Sequence, residues 1–190
     1  VARPSLRDRI VDAALERFHL QGFSGCSVQD ITDAAGVPKG SFYSHFKTKE
    51  SLALEVLSRY RNESKLEMLF EGAGPPLERL RRHFEFLAKK YEDWGFDRGC
   101  VVGNFGSDMC GEHPAMRAAI CDGLNSWTAA IAKVLSEAQA DGTLSANKDP
   151  ETVARFLINA WQGAITRQSV VKNRSPFDDF FDVAFGSILV

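Results

Sequence analysis

Apolar residues recur along this chain at intervals of three and four, the spacing of helices with one buried face. Ile10, Ala14, Leu15 and Phe18 mark the first stripe, with Ser5 placed to cap its start and Gly22 its end. Ser27 opens a second helix, and Asp30 three residues on predicts a reciprocal capping box. Ile31 and Ala34 are its expected buried face and Gly36 its stop. Pro38 stands where a third, short helix begins, from Lys39 to Phe46. Thr48 caps a fourth, expected to reach Phe70 through Leu52, Leu54, Val56, Leu57 and Tyr60. Gly72-Ala73-Gly74-Pro75-Pro76 then breaks the pattern. Further helices are predicted from Pro76 to Trp94, Val101 to Cys110 and Pro114 to Asp141-Gly142, with two more opening at Asp149-Pro150 and Ser175-Pro176. No run alternates with period two for long enough to read as a strand. The expectation is an all-α fold of about nine helices, divided into domains at residues 1–50 and 51–190.

Composition narrows the class without naming a function. The 190 residues are 44% apolar and 25% charged with a net charge of -2, which excludes wholesale disorder. Charges interrupt every stretch long enough to cross a bilayer, so no membrane partner is expected. Four cysteines are too sparse for a disulfide scaffold, and no secretory signal is visible, which predicts a reduced, cytoplasmic setting. The net charge does not point to nucleic acid, so any such case must come from local residues. Residues 1–50 carry seven Lys and Arg against six Asp and Glu, a weak excess that a further basic arm ahead of Val1 would strengthen.

The second and third helices, joined at Ala35-Gly36-Val37, have the spacing of a helix-turn-helix. Phe42 and Phe46 give the third helix one apolar face, while Lys39, Ser41, Tyr43, Ser44 and His45 lie on the other. Gly40 leaves its first turn without side-chain bulk. Such a helix can enter a major groove and bring its backbone close to DNA, and Lys47 and Lys49 behind it can reach phosphate. A surface helix with an incidental polar face has the same pattern.

Gly22-Phe23, Ser27-Val28-Gln29-Asp30-Ile31 and the run from Ala34 through Tyr43-Ser44-His45-Phe46-Lys47-Thr48-Lys49-Glu50 resemble the DNA-binding domain of the TetR family of repressors. The resemblance spans about residues 5 to 55 and implies an all-helical homodimer with a ligand pocket in the larger C-terminal domain. Carried over by position, it implies that Gln29, Lys39, Gly40 and Ser41 face bases, and that Ser27, Tyr43, His45 and Lys49 contact phosphate. Phosphate contacts position a protein and base contacts specify sequence. His45 also has a plainer reading, as a residue that braces its helix.

The segment Gly99-Cys100-Val101-Val102-Gly103-Asn104 is similar to one in a subgroup of that family that includes acrylate-responsive and electrophile- and bleach-sensing repressors. The likeness continues in Glu137-Ala138-Gln139, in Gly142 to Ala146 and in Trp161 to Arg167, and is closest to the acrylate-responsive type. In the electrophile sensors the cysteine aligned with Cys100 reacts, supported by a lysine where this chain has Arg167 or Ser169. Cys100 stands near a predicted helix start beside Arg98, an environment that favours a thiolate able to attack unsaturated carbonyls and quinones. The alternative is a small buried apolar residue. Cys26 and Cys121 read as packing cysteines. Cys100, Cys110 and His113 lack a zinc spacing, so neither metal nor cofactor is expected.

Arg167 lies on a helix otherwise rich in apolar positions. A buried guanidinium there needs an anionic partner, either a small carboxylate ligand or a salt bridge to Asp108, Glu137 or a second subunit. Trp94, Phe105, Trp127 and Trp161 are candidate pocket walls or plain core, and Asn104 could orient a ligand. Small residues of the penultimate helix (Ala154, Ala160, Gly163, Ala164) and the phenylalanines of the last one predict a homodimer through these two helices, as the resemblance also implies. The expected function is a repressor that binds a palindromic operator and is released by a small unsaturated carboxylate or electrophile. Alternatives are the same repressor with Cys100 purely structural and an unrelated apolar inducer, a small cysteine-dependent enzyme, and a helical scaffold that binds only proteins.

Overall fold

The computed structural model describes residues 5–190, and its described residues form nine α-helices and no strand. They are α1 (Leu6–Gln21), α2 (Val28–Ala35), α3 (Lys39–His45), α4 (Lys49–Asn62), α5 (Pro76–Asp93), α6 (Val101–Met109), α7 (Pro114–Ala140), α8 (Pro150–Val171) and α9 (Ser175–Val183). A short 3-10 turn covers Leu66–Leu69 and a π turn covers Ala184–Ile188.

Local chemistry sets most of these ends. Ser27 and Asp30 form the predicted reciprocal box at the start of α2, and Thr48 and Ser51 form another at α4. Gly36 ends α2 with φ 61°, a left-handed conformation that a glycine adopts at little cost. Two expectations need correction. The fourth helix stops at Asn62 instead of reaching Phe70. Lys65 takes φ 50°, which an α-helix cannot hold, and the chain turns so that Leu69 becomes fully buried, its carbonyl accepting from Arg79 Nε at 3.0 Å. On α2 it is Thr32 and Ala35 that join Ile31 inside, while Ala34 is exposed, because the helical stripe steps by four from Ile31 to Ala35.

The chain divides into two compact units. The first takes residues up to Glu63 together with Gly99–Cys121. Its core joins Ile10, Ala14 and Phe18 of α1 to Ile31, Phe42, Leu52, Val56, Phe105 and Met109. Phe105 meets Phe18 edge to face at 5.2 Å and Phe23 at 6.4 Å, so α6 packs as part of this unit.

The second unit takes Ser64–Arg98 and Asp122–Val190. Trp161 of α8 is its hub, stacked on Phe177 at 4.8 Å and touching Phe84 and Phe180, both at 5.1 Å. The phenylalanines of α9 therefore do not await a second chain: Phe177, Phe180 and Phe181 are buried within this one. Arg174 fastens α9 to α5 through Glu85 at 2.8 Å and Glu92, and bonds Asp178 on its own helix; these carboxylates hold its guanidinium above the ordinary arginine pKa.

Candidate functional site

The helix-turn-helix is braced from behind. Arg9 of α1 donates through Nη2 to the carbonyls of Ala35 at 2.7 Å and Gly36 at 3.0 Å, pinning the turn between α2 and α3. This residue gave no sequence signal, since nothing local marks an arginine as a clamp on a turn some 26 positions away. Phe42 is fully buried and Phe46 5% exposed, their rings 5.8 Å apart, so α3 is held by its apolar face alone. The opposite face is open. Lys39, Gly40, Tyr43 and His45 are exposed, Ser41 is half-buried, and Tyr43 is 59% exposed despite its aromatic bulk. A Cβ added at Gly40 would meet nothing within 4 Å, so the space in front of that turn is free for a close-lying surface. The exposure of His45 speaks against its role as a packing brace.

Other predicted DNA contacts sit differently. Ser27 caps α2, its hydroxyl bonded to Asp30 Oδ2 at 2.6 Å. Gln29 is exposed, with Nε2 donating to Asp33 Oδ1 at 2.7 Å. Lys49 corrects the sequence expectation. Its ammonium donates to the carbonyls of Phe23 and Cys26, both at 2.8 Å, and lies 4.1 Å from the centre of the Phe23 ring. Burial pulls its pKa below the ordinary lysine value and pushes the nearby Cys26 thiol up. Lys49 thus ties the start of α4 to the loop before α2, which leaves Lys47 as the exposed one of the two lysines behind α3.

The residues picked for ligand binding fall in both units. Cys100, Asn104 and Phe105 belong to the first unit. Cys100 is the N-cap residue of α6, 7% exposed, with the Tyr60 hydroxyl donating to its sulfur at 3.6 Å. Asn104 donates to the Phe18 carbonyl at 3.2 Å, so its amide secures the end of α1 instead of facing an apolar pocket. His19 Nδ1 makes a further link to the Gly99 carbonyl at 2.8 Å. At the other end of α6, Asp108 Oδ2 accepts from the backbone N–H of Phe23 at 2.8 Å and of Ser24 at 3.4 Å. Gly22, with φ 68° and ψ -174°, is where glycine is required: that region suits no other residue, and a Cβ would collide with the Asp108 carboxylate.

Arg167 is exposed on α8, which removes the argument for a buried guanidinium seeking an anion. Trp94 is half-buried, with the Arg98 guanidinium over its ring at 4.9 Å and Lys90 at 5.3 Å. Arg98 therefore stacks on tryptophan. Of the cysteines predicted to be packing residues, Cys26 is buried but Cys121 is exposed; no disulfide joins any of the four.

Trp127 and Trp161 do share a neighbourhood, in the second unit, and it contains residues that the pattern did not single out. Trp127 and Phe84 are 6.1 Å apart, and His83 lies 6.1 Å from Trp127. His83 is fully buried, and burial lowers its pKa from 6.5 to about 4. Its place three residues after Leu80 and four before Leu87 put it on the inner stripe of α5, a signal legible in the sequence. Gln168 is also buried, donating to the carbonyls of Arg98 at 2.9 Å and Ile165 at 3.0 Å.

Among the described residues no helix is long and apolar enough to cross a membrane, and no cluster of His, Cys, Asp or Glu has the makings of a metal site.

Comparison with known proteins agrees with both halves. Residues 10–56 match the family of bacterial regulatory proteins named for tetR, and residues 76–184 match the tetracyclin repressor-like C-terminal domain. The HTH-type transcriptional repressor DhaR of Mycobacterium sp. (strain GP1) is 33% identical over 100% of this chain and 95% of its own. The transcriptional regulator AcuR of Cereibacter sphaeroides is 36% identical over 90% of this chain and 80% of its own. A crystal structure of a regulatory protein TetR from Rhodobacter sphaeroides superposes with a TM-score of 0.91 at 35% identity, covering 98% of this chain and 100% of that one.

Proposed function

This chain belongs to the TetR family of bacterial transcription regulators, and we propose that it is a repressor that binds a palindromic operator as a homodimer and leaves it when a small molecule occupies its second unit. Family members are regulators of transcription and not enzymes. The observation that carries the operator reading is the face of α3, where Lys39, Gly40, Ser41, Tyr43 and His45 stand clear of a core that holds the helix only by Phe42 and Phe46. Lys39, Gly40, Ser41 and Gln29 read bases, and Ser27, Tyr43, His45 and Lys47 engage phosphates.

A dimer through α8 and α9 is supported by what their outer faces still expose: Phe156 at 50%, Val170 at 76% and Val183 at 54%, with Gly163 open for close helix approach. A two-fold partner then sets the α3 helices about 34–36 Å apart, one turn of DNA. The chain passes between the units at Glu63–Ser64, at Arg98–Gly99 and within α7. The second crossing leads directly into α6, which holds the start of the helix-turn-helix through Asp108 and Asn104. On this reading α6 joins α4, the helix that leads from the first unit to the second, in carrying ligand occupancy to DNA affinity, and ligand and operator then oppose each other reciprocally.

Retardation of DNA from the chain's own upstream region tests this reading. Tyr43→Phe removes a hydroxyl donor and weakens binding about 3- to 10-fold on every sequence, the worth of one hydrogen bond. Lys39→Ala changes which operator variants are preferred. Equal losses on all sequences for both variants would overturn the division of roles, and failure to retard DNA even at low salt would favour a protein-binding scaffold.

Covalent sensing at Cys100 is a second reading, favoured by the hydroxyl of Tyr60 on its sulfur and by the position of the thiol at the head of α6. An adduct there would disturb the element that holds the helix-turn-helix. Brief exposure to a substoichiometric unsaturated aldehyde, followed by peptide mapping, should then place the adduct on Cys100 ahead of the exposed Cys121. Labelling of Cys121 alone would make Cys100 structural.

A further inference from the structure

Four polar atoms of the second unit are buried with no partner in the protein: His83 Nδ1, His83 Nε2, Trp127 Nε1 and Gln168 Oε1. Buried polar groups are nearly always paired, and leaving one bare forfeits the water it gave up. Those of His83 and Trp127 belong to neighbouring rings. The two rings meet edge to face, 76° apart in plane, with centroids 6.1 Å apart, so one small molecule reaches both. Phe84 adjoins each of them, at 5.7 Å from His83 and 6.1 Å from Trp127, and leads on to Phe180 at 4.8 Å and Trp161 at 5.1 Å. The surroundings on the Phe84 side are therefore aromatic.

The chemistry of this pair is specific. His83 stays neutral at physiological pH because burial disfavours its charged form, so it offers one N–H and one lone pair. Trp127 offers one N–H. The cations of α5 are engaged: Arg79 pairs with Glu137, Arg82 donates to the Ala73 carbonyl, Arg81 lies over Phe181 and Phe185, Lys89 pairs with Glu92 and Asp93, and Lys90 lies over Trp94. An anion placed here would be buried without a counter-charge. We propose that His83 and Trp127 together hold the carbonyl oxygen of an uncharged small molecule whose apolar body lies against Phe84, Trp161 and Phe180. The two N–H groups donate to the two lone pairs of one carbonyl oxygen. This assignment rests on the second unit being the inducer-binding half, and it narrows the inducer class from carboxylate or electrophile to a neutral carbonyl compound.

The test measures binding to the full chain without DNA, using three probes of equal length: pentan-2-one, pentane and pentanoate. Pentan-2-one should bind about tenfold more tightly than pentane, two hydrogen bonds of modest net worth. It should also move the indole N–H resonance of Trp127 downfield, a signal assigned by its absence in Trp127→Phe. His83→Phe, which keeps a buried ring, should lower the ketone preference about threefold and leave pentane unaffected. Equal affinity for ketone and pentane, an unmoved indole resonance in the native chain, or tighter binding of pentanoate would each overturn the assignment. Ketone binding that does not release operator DNA would support this site while sinking the inducer role proposed above, so the two readings fail separately.

Discussion

Replacing Trp161 with alanine lowers the free energy of unfolding by about 3–5 kcal/mol, the cost of removing a large aromatic side chain from a packed core. Trp161 is 1% exposed and touches four phenylalanines: Phe177, Phe84, Phe180 and Phe181. These come from α5 and α9, so a void on α8 at this point loosens both helices packed around it. The tilted and stacked ring pairs add about 0.5–1.5 kcal/mol each beyond area burial, which places the loss near the top of the range. Domains of this size are stable by only about 5–15 kcal/mol, so the variant should be partly unfolded at physiological temperature. Urea titration followed by helical circular dichroism measures this. Trp161→Phe, which retains a ring, should cost clearly less. A loss below about 1 kcal/mol would mean that the cluster repacks around the gap.

Acid destabilises the folded chain through His83. Its pKa is lowered from 6.5 to about 4 by burial, so the folded state binds this proton more weakly than the unfolded state does. Above about pH 6.5 the residue is neutral in both states and contributes no dependence. As the pH falls from 6.5 towards 4, the unfolded chain takes up the proton and stability drops, by about 3 kcal/mol when the change is complete. The carboxyls of Asp8, Asp30 and Asp149 act lower. Hydrogen bonds from Ser5, Ser27 and Thr152 hold them below the ordinary 3.8, so the stability they add is present above that value and lost only as the pH falls through it. Among these shifts, that of His83 is the one that acts between pH 6.5 and 4. Unfolding titrations at pH 7, 5.5 and 4.5 on the native chain and on His83→Phe separate the terms. The variant should be more stable at neutral pH, freed of two unpartnered nitrogens, and should lose most of the slope. An unchanged slope would show that His83 is solvated in solution.

The two predictions concern residues that the sequence presented very differently. Trp161 was visible as an apolar position on a helical stripe, whereas His83 passed unnoticed although it stood on the stripe of Leu80 and Leu87. A polar residue on an inner stripe is the informative exception, because burying it without a partner has a cost that burying leucine does not. The helix-turn-helix face was the most legible feature. Its helix starts are local chemistry, written in Ser27, Asp30 and Thr48, and its polar face follows from the spacing of Phe42 and Phe46 along seven residues. Lys49 shows the limit of this reading. A lysine after a recognition helix looks like a phosphate contact until the fold brings two carbonyls to its ammonium.

Periodicity and capping are properties of a few neighbouring residues, so the chain alone established the helices, their order, the amphipathic α3 and the resemblance to the TetR family. Burial and partnership depend on residues far apart in the chain, and these the tertiary structure decided. It set Asn104 and Phe105 against Phe18 of α1, and it turned Arg167 to solvent. It spent the phenylalanines of α9 on Trp161, leaving the outer faces of α8 and α9 to valines, Phe156 and Gly163. It also brought His83 beside Trp127, 44 positions along the chain, although neither residue has a local reason to seek the other. A hydrophobic stripe says only that a face is covered; which residue covers it, and which polar atoms are trapped beneath, is settled by the packing of whole helices.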